Sequence, residues 1–125
     1  MIKTISTDKA PAAIGPYSQA KVVGNLVFTS GQIAINPANG EIEAVTIEEQ
    51  TKQVCENIKN LLEASGSDLQ SVVKTTCFLK NMEDFATFNG IYAEYFTSKP
   101  ARSCVAAKQL PKDVLVEVET IAVIK

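Results

Sequence analysis

The feature that most limits this chain is a capped helix that can bury only one side. Thr46 and Glu49 stand at capping-box spacing, where each side chain satisfies a free backbone N–H of the first turn. Val54, Ile58, Leu61 and Leu62 follow at helical intervals as one apolar stripe. Gly66 stands where a left-handed residue can end the helix. Such a stripe needs an apolar surface to lie on, and the flanking segments read as strands that supply it.

Residues 20–23 and 26–30 are apolar runs on either side of Gly24-Asn25, a hairpin signal. Ile33 and Ile35 are expected to continue a strand towards Asn36-Pro37, and Asn39-Gly40 marks a tight turn. Residues 72–79 are rich in β-branched and aromatic side chains, hence a strand. Asn81 is expected to cap a second helix whose buried face carries Phe85, Phe88, Tyr92 and Tyr95. Residues 102–106 read as a short strand, Pro111 as a break, and 114–124 as a long final strand. The order of elements predicts one α+β domain over residues 1–125, with two helices on one face of a mixed sheet. The other face is still apolar, which points to self-association.

Composition narrows the chemistry. The 125 residues carry a net charge of −2 and no basic run, so no nucleic-acid partner is expected. No apolar run approaches the roughly 20 residues of a membrane helix, and the N-terminus has no leader-like apolar stretch. Cys55, Cys77 and Cys104 are scattered and odd in number, which favours reduced thiols and a cytoplasmic setting. There is no histidine, which removes histidine triads, histidine metal sites and histidine acid–base work. No metal or other cofactor is expected.

Arg102 is the only arginine among eleven lysines. Lysine already serves solubility here, so a single guanidinium suggests a fork for a carboxylate or phosphate, with a surface or ion-pair role as the alternative. Alternation in Val116-Glu117-Val118-Glu119 puts both carboxylates on one strand face beside Leu115, Ile121 and Val123. If that face is buried, desolvation raises the Glu117 pKa towards the range of proton transfer; an exposed or lysine-paired Glu117 is the alternative. Tyr17 lies in a Gly-Pro loop and can present its ring over a pocket or simply pack. Ser30-Gly31 ends an apolar strand, where glycine permits close approach of a ligand or forms a bulge. Cys104 shares the side of Arg102 and is a nucleophile if Arg102 or Lys108 lowers its pKa, otherwise a lining residue. Asn89 can bond a ligand or face water.

Together these segments resemble the Rid (YjgF) family of reactive-intermediate, or imine, deaminases. The resemblance runs through Ala12-Ala13-Ile14-Gly15-Pro16-Tyr17-Ser18-Gln19, Phe28-Thr29-Ser30-Gly31-Gln32, Val73-Lys74-Thr75-Thr76 and Asp84-Phe85. It is most specific from Pro100-Ala101-Arg102-Ser103-Cys104-Val105 through Leu110-Pro111-Lys112-Asp113 to Val116-Glu117-Val118. The resemblance implies a chorismate-mutase-like fold of the bacterial trimeric type, a homotrimer with a central barrel and sites between subunits. It further implies hydrolysis of 2-imino acids such as 2-iminopropanoate and 2-iminobutanoate to 2-keto acids and ammonia. Arg102 would bind the substrate carboxylate and Glu117 would handle the proton. Gly31 and Cys104 would line the cleft with Tyr17, Ser30 and Asn89 nearby. Only Thr97-Ser98-Lys99 separate Phe96 from Pro100, a shorter segment than in many relatives. A non-catalytic trimer that binds small carboxylates is the alternative. A ribonuclease or translation inhibitor, a label some members carry, ranks third because the chain is acidic and lacks histidine.

Overall fold

The computed structural model describes residues 1–125. Its strands and helices run β1 (Ile2–Ile5), β2 (Ala20–Val23), β3 (Leu26–Thr29), α1 (Ile47–Ala64), β4 (Val72–Leu79), α2 (Phe85–Tyr95), β5 (Ala101–Ala106) and β6 (Val116–Val123). The six strands form one sheet in the order β1-β2-β3-β6-β4-β5. Only β4 and β5 run parallel, joined by the crossover through α2. Gly24 takes φ +59 at the first central position of the β2–β3 hairpin, where Val23 pairs with Leu26.

The α1 cap forms as its spacing predicts. The Glu49 N–H donates to Thr46 Oγ1 and the Thr46 N–H donates to Glu49 Oε1, both at 3.2 Å. Gly66 ends this helical stretch at φ +86, and the Ser67 N–H reaches back to the Leu62 carbonyl at 2.9 Å. Val54, Ile58, Leu61 and Leu62 are fully buried with Phe88 of α2, over Val27, Cys77, Leu79, Val116, Val118 and Ala122 of the sheet. Both helices thus cover one face of a mixed sheet, an α+β arrangement. Along β6, Val116, Val118, Thr120 and Ala122 are buried under the helices, while Glu117, Glu119, Ile121 and Val123 lie on the open face. Phe28 pairs with Ile121, and Val105 and Glu117 both pair with Phe78, so this open face is substantially apolar. No helix is long and apolar enough to cross a membrane.

Three local readings change. Ile33 and Ile35 do not continue a strand, because the Asn57 side chain of α1 donates to their carbonyls at 3.1 and 2.9 Å. Asn81 makes no capping bond; a single 3₁₀ turn, Met82–Asp84, precedes α2. The edge strand β1 went unread, since its four residues are mostly exposed and show no buried face.

Candidate functional site

The pairing of β3 with β6 shifts by one residue after Thr29. Phe28 opposes Ile121, yet Gln32 opposes Val118, so Ser30 and Gly31 form a bulge against Glu119. The bulge lays the Gly31 backbone over the Glu117 side chain. A Cβ built on Gly31 would collide with the Glu117 carboxylate and come within 2.9 Å of its Cδ. Glycine is required here by close approach rather than by a left-handed backbone.

Around this point opens a cleft of about 570 Å³ lined by Tyr17, Ser30, Gly31, Gln32 and Glu117, with Lys112 at its rim. The loop before β2 is pinned by Gln19, which accepts from the Thr7 N–H at 2.7 Å and donates to the Pro11 carbonyl at 2.7 Å. Ser30 Oγ donates to the Ser18 carbonyl at 2.6 Å, leaving its lone pairs for an incoming donor. Tyr17 is 55% exposed, its ring free at the cleft wall. Lys112 holds a left-handed φ of +55, a strained conformation for a side-chain-bearing residue. Burial, and secondarily the charge of Glu119, push the Glu117 carboxyl above its ordinary pKa. Its proton affinity therefore moves towards that of a useful acid–base group.

Arg102 and Asn89 occupy a second cleft of about 500 Å³, walled by Tyr92, Ala93, Phe96 and Pro100. The guanidinium donates through Nη1 to Asn89 Oδ1 at 2.7 Å. Its Cζ lies 4.9 Å from the Tyr92 ring centroid and 5.4 Å from that of Phe85. Tyr92 is itself tied down, its hydroxyl 2.7 Å from Thr75 Oγ1. Arg102 has no carboxylate partner; the chain's two ion pairs are Lys80–Asp113 and Lys125–Asp68. The result is a half-buried, preorganised fork with unused donors, facing a cavity.

These two groups do not meet within one chain. Thr75 pairs with both Arg102 and Thr120, so Arg102 shares the helix-covered face of the sheet. Glu117, an odd number of residues from Thr120, lies on the opposite face. Cys104, in register with the buried Cys77, sides with Arg102 but lines neither cleft. Burial pushes the Cys104 thiol up more than Arg102 pulls it down, which favours the reading of Cys104 as a partly buried lining residue over that of an activated nucleophile. No group of three His, Cys, Asp or Glu side chains converges anywhere on the chain. Sequence reading missed Gln32 and the ring platform formed by Phe85 and Tyr92. Both rings stood out only as helix-face residues, and Gln32 left no periodic signal.

The family model described as Endoribonuclease L-PSP matches residues 7–124. The chain belongs to this family, the Rid (YjgF) proteins. Its relatives include a RutC family protein of Pyrococcus abyssi, 56% identical over 96% of this chain and 95% of that protein. The 2-iminobutanoate/2-iminopropanoate deaminase of Escherichia coli K12 is 50% identical, with 98% of each chain covered. Among solved structures, E. coli TdcF with bound serine superposes with a TM-score of 0.93 at 42% identity, covering 98% of this chain and 99% of that one. The two-helix, six-strand architecture of this chain matches solved structures of a putative endoribonuclease from Thermotoga maritima and of a yeast protein, with TM-scores of 0.95 and 0.96 at 53% and 46% identity.

Proposed function

We propose that this chain is a deaminase of 2-imino acids whose site is completed between neighbouring copies. The observation that carries the reading is the unpaired Arg102 fork, held by Asn89 and two aromatic rings at a cavity. A fork so fixed suits a carboxylate, which it can take through two parallel hydrogen bonds. Relatives at about 50% identity named 2-iminobutanoate/2-iminopropanoate deaminase support the choice of substrate.

The acid–base group that completes the site is Glu117 of a second copy. Packing the apolar open faces into a homotrimer with a central barrel, in the manner of the bacterial trimeric chorismate mutases, brings the Arg102 cleft of one copy to the Glu117 cleft of the next. Arg102 then fixes the carboxylate of the substrate, with Asn89 orienting the guanidinium. Gly31, Ser30, Tyr17 and the backbone near Cys104 close around the reacting carbon. Water adds through oxygen to the imine carbon, Glu117 receives its proton, and the nitrogen is protonated and leaves as ammonia. A 2-keto acid and ammonium remain. The imine is already electrophilic, so orientation and one positioned acid–base group suffice.

A binding trimer without catalysis is a second reading, favoured by the serine held in TdcF, an amino acid rather than an imine. Coupling the protein to a threonine dehydratase and following imine decay separates the two. Faster decay supports the deaminase; unchanged decay supports the binder. In the same assay Arg102→Lys is expected to lose about 10²-fold or more in kcat/KM, because an ammonium keeps the charge but not the fork. A fully active Arg102→Lys protein removes the clamp.

A further inference from the structure

Arg102 is not the only cation at its cleft. Lys99 lines the same cavity, and no acidic side chain stands on its wall. The hollow on the other side of Lys99, walled by Gln70, Ser71 and Val123, holds no acid either. Neither cation belongs to an ion pair of this chain. A chain with a net charge of −2 thus leaves two uncompensated positive groups at one opening.

The turn that carries Lys99 is fastened to the rings that hold Arg102. The Lys99 N–H donates to the Phe96 carbonyl at 3.2 Å, and the buried Phe96 ring stacks on Tyr92 with centroids 4.5 Å apart. Tyr92 in turn lies against the guanidinium. Thr97 Oγ1 donates to Gln70 Oε1 at 2.7 Å and ties down the same turn. With only Thr97-Ser98-Lys99 between Phe96 and Pro100, the chain turns sharply, and Lys99 takes a left-handed φ of +55. Glycine adopts that conformation without the steric cost a side chain brings, yet lysine stands there. The residue is exposed, so its flexible stem lets the ammonium swing over the mouth of the cleft.

We propose that Lys99 receives a second anionic group, and that the site takes 2-imino diacids such as 2-iminoglutarate as well as monoacids. The inference rests on the deaminase reading above and deepens it by naming a substrate class. The Arg102 fork can satisfy both oxygens of one carboxylate by itself, which leaves the ammonium surplus to a monoacid. A diacid carries its second carboxylate at the end of its side chain, away from the reacting carbon, where a cation on a long stem meets it. Hydrolysis proceeds as for a monoacid. Water bonds through oxygen to the imine carbon, the C–N bond breaks, and ammonia leaves with its electron pair. The product is a 2-keto diacid. Lys99 touches none of the reacting atoms and is a specificity-determining residue.

The test uses two stable ligands of equal chain length, 2-ketoglutarate and 2-ketopentanoate, which differ only in a terminal carboxylate against a methyl group. Each is titrated calorimetrically into the intact protein at low salt. The parent is expected to bind 2-ketoglutarate about fivefold more tightly, the upper end for an ion pair open to solvent. Lys99→Met keeps the stem and removes the charge; it should abolish that preference and leave 2-ketopentanoate within about twofold. Lys99→Arg should retain the preference, and Arg102→Ala should lose both ligands. The assignment is overturned by no preference in the parent, by equal weakening of both ligands in Lys99→Met, or by undiminished 2-ketoglutarate binding in Arg102→Ala. If the parent protein hydrolyses no imine, the deaminase reading falls, while the two keto acids still decide whether Lys99 reads a second carboxylate.

Discussion

Arg102 keeps most of its five guanidinium donors uncommitted while lying half-buried between two rings, bonded once, to Asn89. Its rarity was readable, because one arginine among eleven lysines invites a reason. Its lack of an acid partner was not, since that depends on which side chains the fold brings within reach. Glu117 was likewise legible as a carboxylate on an apolar strand face. Burial raises its pKa, and the like charge of Glu119 adds to this. The folded chain thus holds that proton more tightly than the unfolded one. Its ionisation costs nothing below the ordinary carboxylate range, and the cost grows as pH rises through the folded value. Activity that needs ionised Glu117 should therefore show an acidic limb above the usual carboxylate range of about 4.3. Glu119→Gln removes the smaller cause, so that limb in kcat/KM should move to lower pH. A limb unmoved by the substitution means that Glu119 does not act on Glu117.

At the scale of elements, the hairpin at Gly24-Asn25, the capped α1 and strand β4 were legible because local turn chemistry, capping and β propensity all agree there. Failures came where a distant group takes over a local bond. Asn57 claims the carbonyls of Ile33 and Ile35, and no local pattern announces a side chain arriving from 22 or 24 residues away. The bulge at Ser30-Gly31 was one of two readings of that dipeptide; the structure combines it with close approach to Glu117. A methyl group at Gly31 would meet the far end of a flexible side chain rather than backbone. Gly31→Ala should therefore fold with a Tm within a few degrees of the parent, yet displace the carboxyl and lower kcat by about 10²-fold. Normal turnover in a folded Gly31→Ala protein would show that the position of Glu117 under the bulge does not matter.

For the molecule as a whole, the α+β class with two helices on one face followed from the order of elements and the one-sided stripe of α1. Which strands neighbour each other did not, because register between β6 and its partners β3 and β4 joins residues tens of positions apart. That register carries the main consequence for function: it puts Arg102 on the helix-covered face and Glu117 on the open one. A single chain holds two half-sites, and the proposed chemistry needs a neighbour to join them. Mixing therefore probes the account directly. Arg102→Ala and Glu117→Gln proteins, each inactive alone, are co-assembled in equal amounts and assayed for imine hydrolysis. A random pair of neighbours has one intact fork and one intact carboxylate in the required order about a quarter of the time, so roughly a quarter of parental activity should return. A mixed assembly no more active than either variant alone would contradict a site shared between copies.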